Sequence, residues 1–258
     1  MTDSDAPPTH RPLALVTGVG RTAGIGAGVA YRLAESGWDI AFTYWTPYDA
    51  RMPWGAESGA ADAVSEALAE RGAAPYALAA DLSEPDAPAR VFDAVEAALG
   101  GVTALVLCHC ESVDSGLLDT SVESFDRHFA VNTRASWLLI REFGRRFAGD
   151  FGSGRIVALT SDHTAGNLPY GASKGALDRI TLAAAQELAH LGVTANAVNP
   201  GPVDTGWMTE QLRTTIAAHT PLARLGTPAD AARLVGFLCS PAGQWVNGQL
   251  LVSDGGLA

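Results

Sequence analysis

Cysteine, long apolar runs and positive charge are all scarce in this 258-residue sequence. The three cysteines, Cys108, Cys110 and Cys239, are too few and too unevenly spaced for a disulfide framework, so we expect reduced thiols and a cytoplasmic location. No apolar run approaches the roughly 18 residues that cross a bilayer, which predicts no membrane-spanning helix. The formal net charge of -11 disfavours nucleic acids and anionic membrane surfaces as partners.

Lysine is the scarcest basic residue. All of the seventeen basic residues except Lys174 are arginine. An ammonium is compact and flexible, whereas a guanidinium is planar and donates in a fixed fork. We therefore interpret position 174 as one where arginine does not serve.

Short apolar runs alternate with longer segments of helical period. Strands that are apolar throughout and separated by amphipathic helices indicate a parallel sheet covered on both faces. The sequence therefore predicts an α/β fold, a doubly wound parallel sheet of the Rossmann type, as a single domain over residues 12–258. The first eleven residues, Met1 to Arg11, are polar and predict a disordered N-terminal tail. Strands are expected at 13–16, 39–44, 76–80, 103–107, 155–160, 194–198 and 249–252, and helices at 25–35, 58–71, 86–99, 121–148, 170–191 and 228–239.

Two longer segments interrupt this alternation and are predicted as loops. Trp45 to Gly55 follows the second strand, and Asp204 to Pro221 lies where a lid over a substrate would be placed. Long loops at the carboxyl edge of a parallel sheet are more often functional than incidental. We therefore predict that Trp45 contacts a cofactor. Trp207 and Met208 either form an apolar wall against the substrate or simply pack the lid down.

A glycine cluster lies between the first strand and the first helix. Glycines here permit a tight turn and bring a pyrophosphate close to the amino end of a helix, whose dipole and free amides favour anions. A structural turn is the plainer alternative, but the position between a strand and a helix favours a cofactor site. The residues expected to contact the cofactor are Gly18, Arg21, Gly24, Ile25 and Gly26.

Tyr170 and Lys174 lie four residues apart near the start of a long predicted helix, so their side chains share one face. A nearby ammonium stabilises a phenolate, which predicts a lowered pKa for Tyr170 and suits it to exchange a proton with an alcohol or ketone oxygen. Ser161 ends the fifth strand, where its hydroxyl is able to bind the same oxygen. Asn132 lies in the preceding long helix, where its amide either holds a water beside Lys174 or is simply solvated or hydrogen-bonded within the core. A buried tyrosine beside an exposed lysine is the alternative.

The glycine cluster, Asn132, Ser161 and the Tyr-x-x-x-Lys motif, in this order, resemble the short-chain dehydrogenase/reductase family. The closest likeness is to its 3-oxoacyl-[acyl-carrier-protein] reductase-like members, over residues 13–256. The resemblance implies that Tyr170 is the catalytic acid/base and that Ser161 orients the carbonyl. It further implies that Lys174 binds the nicotinamide ribose and lowers the pKa of Tyr170, and that Asn132 anchors a proton-relay water.

The same resemblance extends the expected cofactor site and implies a homotetramer or homodimer. Tyr170 and Lys174 contact the nicotinamide end in this pattern. Further cofactor contacts are expected from residues that follow the third and sixth strands: Asp81, Leu82, Pro200, Gly201, Val203 and Thr205.

Three features depart from the family pattern. Five residues separate Gly18 from Gly24, which makes the glycine turn longer than usual. Ser161 precedes Tyr170 by nine residues, which makes the intervening loop shorter than usual. The Asn-Asn-Ala-Gly that normally ends the fourth strand is replaced by Leu107–Cys110.

Cys108, His109 and Cys110 raise the question of a metal site. A fourth donor at suitable spacing is missing, and alternation along a strand points His109 away from the two thiols. We predict no metal, and packing of Cys108 beside the cofactor. His163, close to Ser161, either lines the substrate pocket or is merely solvated.

The cofactor choice depends on two positions. Dehydrogenases that use NAD(H) usually carry an acid about 20 residues beyond the glycine motif, where this chain has Trp45 and where Asp49 is the first acid. Arg21, inside the glycine turn, is able to pair with a 2′-phosphate or simply to solvate the turn. We expect NADP(H) rather than NAD(H).

These features predict an oxidoreductase that reduces a ketone, 3-oxoacyl or similar, to a secondary alcohol or runs the reverse reaction. One alternative is a catalytically idle member that binds nucleotide as a sensor or scaffold, which the altered fourth strand would favour. The other is an enoyl reductase, which the long glycine turn would favour and the Tyr-x-x-x-Lys spacing disfavours.

Overall fold

The computed structural model describes residues 11–257, and within this range a single parallel sheet forms the centre of the protein. Its seven strands are β1 (Leu13–Thr17), β2 (Asp39–Tyr44), β3 (Pro75–Ala79), β4 (Ala104–Leu107), β5 (Arg155–Leu159), β6 (Thr194–Asn199) and β7 (Leu250–Val252). Their order across the sheet is β3-β2-β1-β4-β5-β6-β7. The predicted α/β Rossmann architecture is confirmed.

Nine α-helices lie within the same described range. They are α1 (Ile25–Glu35), α2 (Thr46–Ala50), α3 (Ala60–Glu70), α4 (Ala87–Leu99), α5 (Val122–His128), α6 (Ser136–Arg146), α7 (Leu168–Glu187), α8 (Glu210–His219) and α9 (Pro228–Cys239).

Alternate residues of the buried strands supply two cores, one on each face of the sheet. In β1, Ala14 and Val16 pack in a cluster that includes residues of α1, α3 and α9. Leu13 and Leu15 face the other way, into a cluster that includes residues of α4, α6 and α7. Burial on both faces explains why these strands are apolar throughout.

The order of the strands reverses between β1 and β4, which pair in parallel with Thr17 opposite Leu107. Such a reversal opens a crevice at the carboxyl ends of the two strands, where doubly wound proteins bind their ligands. The glycine turn after β1 and the Cys108–Cys110 segment after β4 therefore meet at one edge of the sheet.

The prediction of unbroken loops was wrong in two places. The segment Trp45 to Gly55 contains α2, which has Pro47 in its first turn. The segment Asp204 to Pro221 contains α8, which is capped by Thr209: its side chain accepts a hydrogen bond from Leu212 N at 3.2 Å. Both helices were missed because neither has an apolar stripe that the sequence would show: α2 is very short, and α8 buries no residue. The long helix expected at 121–148 is confirmed as a continuous helical stretch over 122–146, in which the π-helical segment Phe129–Ala135 joins α5 and α6.

The predicted disordered tail, Met1 to Arg11, falls mostly on residues 1–10, which lie outside the described residues. Arg11 itself corrects the prediction. Its guanidinium donates to Ala34 O at 2.8 Å and to Trp38 O at 3.0 Å, and it forms an ion pair with Asp39 at 3.3 Å. Among the described residues, no helix is both long and apolar enough to cross a membrane.

Candidate active site

The glycine turn after β1 forms the floor of a cavity at the crevice between β1 and β4. Gly18 has a φ of +75°, and a Cβ there would lie 2.6 Å from His109 Cα, so only glycine fits. A Cβ on Gly26 would lie 2.8 Å from Gly18 O. Helix α1 has no capping side chain and no acid in its first turn, which leaves its amino end free to bind an anion.

The cavity is lined by many of the predicted cofactor residues. They are Gly18, Arg21, Gly24, Ile25, Gly26, Trp45, Asp81, Leu82, Cys108 and Thr205. The remaining lining residues were not predicted: Gly20, Thr43, Tyr44, Tyr48, Asp49, Ala80, His109, Cys110, Glu111, Arg127 and Val131.

Five of the predicted cofactor residues do not line this cavity. Pro200, Gly201 and Val203 follow β6, and Gly201 has a φ of +61° with its backbone packed against Asp254. Tyr170 and Lys174 lie on α7, beside the cavity rather than in its wall. Their contacts with a cofactor stay predictions.

His109 connects the ends of β1 and β4. Its Nδ1 lies 2.7 Å from Thr17 Oγ1 and its Nε2 lies 3.1 Å from Val131 O, with Ser136 Oγ at 3.3 Å. A carbonyl only accepts, so Nε2 carries the proton and Nδ1 accepts from the Thr17 hydroxyl. Burial lowers the pKa of His109 to about 3, so the ring stays neutral at neutral pH.

The two thiols beside His109 face a different environment. Burial raises the pKa of Cys108 to about 12 and also raises the pKa of Cys110, although Lys174 opposes both shifts. Both side chains are therefore neutral thiols at neutral pH. Within residues 11–257 no group of three or more His, Cys, Asp or Glu side chains is placed to hold a metal ion.

Asn132 lies in the π-helical segment and is completely buried. Its Oδ1 accepts from Glu111 N at 2.7 Å, and its Nδ2 donates to Glu111 O at 2.9 Å and to Ser173 Oγ at 2.9 Å. Ser173 in turn donates to Tyr170 O at 2.7 Å. The Asn132 amide thus joins the end of β4 to the first turns of α7. Both Nδ2 protons are engaged, whereas Oδ1 accepts one hydrogen bond and keeps one lone pair, so the contact of Asn132 with a relay water stays a prediction.

Lys174 is buried, with only 2% of its surface exposed, so the alternative of an exposed lysine was wrong. Its Nζ donates to Leu159 O at 2.8 Å and lies 5.7 Å from the centre of the Tyr170 ring. Burial lowers the pKa of Lys174, and Asp178, one turn further along α7, opposes this shift. The helical face predicted from the four-residue spacing is present.

The pKa of Tyr170 is shifted in the opposite direction to the one predicted. Burial raises it, and a hydrogen bond with Ser161 partly opposes that increase. The structure brings Ser161 and Tyr170 together, as their predicted roles require. The Lys174 ammonium, however, donates to Leu159 O and does not offset the burial of the phenol.

The short loop between Ser161 and Tyr170 packs tightly on the start of α7. A Cβ on Gly171 would lie 1.9 Å from His163 O, so the loop is able to follow this path only because residue 171 is glycine. The His163 side chain is exposed, and its backbone N donates to Ser161 Oγ at 3.2 Å. The short gap therefore shapes the surroundings of Ser161.

The other two predicted substrate-pocket residues lie between β6 and α8. Met208 is buried, whereas Trp207 is about half exposed and donates from Nε1 to Val203 O at 3.2 Å. Neither lines the cavity above the glycine turn. Their contact with a substrate stays a prediction.

Arg21 is engaged by side chains that the sequence interpretation did not connect to it. Its Nε lies 3.4 Å from Asp49 Oδ1, its Nη1 donates to Thr205 O at 2.9 Å, and its guanidinium lies over the Trp54 ring at 4.7 Å. Asp49 was noted only as the first acid after β2. The only indication in the sequence that Asp49 could reach the glycine turn was its position in the long Pro- and Trp-containing segment after β2.

Comparisons with known proteins agree with this geometry. The family model described as Enoyl-(Acyl carrier protein) reductase matches residues 18–258. The uncharacterized oxidoreductase YjdA of Bacillus subtilis is 36% identical over 253 residues, which cover 96% of this chain and 97% of that protein. The NADPH-dependent aldehyde reductase-like protein of Arabidopsis thaliana, described as chloroplastic, is 36% identical over 266 residues, which cover 95% of this chain and 93% of that protein.

A solved structure shows the same fold throughout. The short chain dehydrogenase from Burkholderia cenocepacia J2315, in complex with NADP, is 32% identical with a TM-score of 0.84, over 96% of this chain and 97% of that one. The chain belongs to the short-chain dehydrogenase/reductase family.

Proposed function

We propose that the protein is an NADP(H)-dependent carbonyl reductase that interconverts a ketone and a secondary alcohol. In the reductive direction NADPH supplies a hydride to the carbonyl carbon and one proton reaches the carbonyl oxygen, which gives the alcohol and NADP⁺. One observation carries the proposal: Asn132, Ser161, Tyr170 and Lys174 form one connected group beside a glycine-floored cavity. Asn132 fixes the backbone of Glu111, which belongs to the cavity wall.

The cavity fits a dinucleotide. Gly18 and Gly26 leave space that a Cβ would fill, and the uncapped amino end of α1 suits a pyrophosphate. The Arabidopsis relative is described as NADPH-dependent and the Burkholderia structure contains NADP, which supports NADP(H) over NAD(H). Arg21 is the residue of the turn that would meet a 2′-phosphate.

Tyr170 is the proposed proton donor and acceptor. The raised pKa keeps its hydroxyl protonated at neutral pH, which suits the donor role in ketone reduction. Ser161 hydrogen-bonds the same hydroxyl and so orients it toward the carbonyl oxygen. Lys174, whose Nζ donates to Leu159 O, is the residue we propose to bind the nicotinamide ribose, and Asn132 is the residue we propose to hold a relay water.

The substrate class we favour is a 3-oxoacyl thioester or a similar ketone. Enoyl reduction is the second candidate, because the matching family model is described as an enoyl reductase. Tyr170 and Lys174 share one face of α7 at a spacing of four residues, and this favours the carbonyl reaction. The two functions differ in the bond that is reduced, so matched substrates separate them.

The test is consumption of NADPH, followed by its fluorescence, with ketones, aldehydes, a 3-oxoacyl thioester and the corresponding 2-enoyl thioester. We expect turnover with a carbonyl compound and none with the enoyl thioester. Tyr170→Phe should bind NADPH with nearly unchanged affinity but lose about 10²–10⁴ in rate, because it removes a positioned acid. Turnover of the enoyl thioester alone, or a Tyr170→Phe rate above a tenth of wild type, would overturn the proposal.

The exposed apolar side chains fit the homotetramer or homodimer that the family resemblance implies. Val122 on α5 and Trp137 on α6 are 70% and 47% exposed, and Trp245 near the carboxyl end is 95% exposed. Surfaces of this kind commonly become buried between subunits. Sedimentation of the purified protein as a monomer would contradict this proposal.

A further inference from the structure

The segment Trp45–Gly55, which we call the strap, supplies part of the cavity wall. It leaves the end of β2 and is fastened to the loop that follows β4. Because β1 lies between β2 and β4 in the sheet, the strap must pass the carboxyl end of β1, where the glycine turn begins. Tyr48 and Asp49 of the strap line the same cavity as the glycines.

The first attachment of the strap is to the glycine turn. Asp49, only 6% exposed, forms an ion pair with Arg21 at 3.4 Å and accepts from Trp54 Nε1 at 2.8 Å. A Cβ on Gly20 would lie 2.6 Å from Asp49 Oδ2, so the strap packs directly on the turn. Arg21 also lies over the Trp54 ring, which adds a cation–π contact.

The second attachment is to the end of β4. Arg51 forms an ion pair with Glu111, which is 3% exposed and also pairs with Arg127 at 3.5 Å. Tyr48 OH lies 3.4 Å from Ser112 O, and Arg51 lies over the Tyr48 ring at 5.2 Å. Arg51 and Arg127 are partly exposed, so salt is able to screen the Arg51–Glu111 pair.

We propose that the strap is part of the dinucleotide site: it closes over the cofactor's pyrophosphate, and the Arg51–Glu111 and Arg21–Asp49 pairs control how fast the cofactor enters and leaves. The pyrophosphate is the group that the glycine turn and the amino end of α1 bind, and the strap packs directly on that turn. Cofactor exchange then requires the strap to detach from β4. This inference rests on the proposed function, because it takes NADP(H) as the occupant.

Control of exchange by the strap has a kinetic signature. Loosening a cover speeds association and dissociation together, whereas losing a direct contact speeds dissociation alone. Arg51→Gln removes the ion pair at the end of β4 and leaves the glycine turn untouched. We expect this variant to raise both rates of NADPH exchange by about tenfold, a change of about 1.4 kcal/mol in each barrier.

The experiment is stopped-flow measurement of NADPH binding and release, followed by cofactor fluorescence, for wild type, Arg51→Gln and Glu111→Gln at low and high salt. Salt should loosen the Arg51–Glu111 pair in wild type, so the roughly tenfold difference between wild type and each variant should become smaller at high salt. Arg90→Gln is the matched control, since Arg90 on α4 forms exposed ion pairs with Glu84 and Asp86, which precede that helix. Thermal unfolding checks that each variant is folded, and Glu111→Gln carries the test if Arg51→Gln is not.

Unchanged rates in the folded variants would overturn the strap proposal, and so would a faster release with unchanged association. Rates that change equally in Arg90→Gln would also overturn it. If wild type binds no NADPH at all, the proposed function fails first, and that result is distinct from the others. A double variant whose effect equals that of either single variant would show that Arg51 and Glu111 act as one pair.

Discussion

His109 should make the stability of this protein depend on pH between about 7 and 5, and His109→Asn should remove that dependence. The ring is buried as the neutral form, with Nε2 donating to Val131 O and Nδ1 accepting from Thr17. Protonation in the folded state would leave a second donor facing the Thr17 hydroxyl. An unfolded chain has no such constraint, so its histidine binds a proton near the ordinary pKa.

The magnitude follows from the two pKa values. The pKa of His109 is about 3 in the folded protein and 6.5 in the unfolded chain. Between these two pH values the unfolded state therefore binds more protons than the folded state. Stability is therefore full above the unfolded value and falls as the pH drops through 6.5 toward 3. Linkage gives a loss of about 2 kcal/mol between about pH 7 and pH 5 from this one group.

Urea unfolding of wild type and His109→Asn at the two pH values measures this loss. The other histidines are identical in both proteins, so they cancel in the difference. Asn is neutral and retains a polar group toward Thr17. His109→Asn should lower the free energy of unfolding by about 1–3 kcal/mol at neutral pH, because the contact with Val131 is lost. Between about pH 7 and pH 5, however, the variant should lose about 2 kcal/mol less stability than wild type. Equal losses in the two proteins would refute the assignment of a buried neutral His109.

Three further substitutions test other parts of the site. Lys174→Arg keeps the charge but places a larger, forked group in a buried position, so kcat should fall at least about 100-fold in the folded enzyme. Near-normal steady-state turnover would contradict the role given to Lys174. Gly171→Ala forces a Cβ against His163 O and should lower both thermal stability and kcat, whereas Gly175→Ala on the same helix, with nothing within 4 Å, should be neutral or stabilising. Arg21→Ala should weaken the binding of NADPH more than the binding of NADH. Dissociation constants that favour NADH in wild type would contradict the assigned cofactor preference.

The sheet and the shared helical face of Tyr170 and Lys174 were predictable because local patterns determine both. Strands buried on two faces must be apolar throughout, and helical spacing places Tyr170 and Lys174 on one face whatever the rest of the chain does. The glycine turn was predictable because its position between β1 and α1 requires residues without a Cβ, as at Gly18. Each of these inferences needs only residues that are close in sequence.

The strap and the direction of the Tyr170 pKa were not predictable in this way. The contact of Asp49 with Arg21 depends on how a segment returns across the sheet, and no sequence periodicity records it. The pKa of Tyr170 depends on how deeply α7 buries the phenol and on Lys174 donating to Leu159 O. Both are results of packing between distant parts of the chain, and spacing alone gave the wrong sign for the pKa.

Two of the three departures from the family pattern are accommodated by contacts within the site, and this bears on whether the protein is an active enzyme. The altered end of β4 was the only feature that favoured an idle, nucleotide-binding member. Yet His109 joins that strand end to Thr17 of β1, and Asn132 fixes Glu111 just beyond it, so the wall of the cofactor cavity is held firmly. The shortened loop over the site is likewise accommodated by Gly171. A binding module without catalysis has no need for a buried Lys174 fixed beside a tyrosine, because burying an ammonium costs free energy that binding alone does not require. The retained cost of that burial is therefore an argument for catalysis.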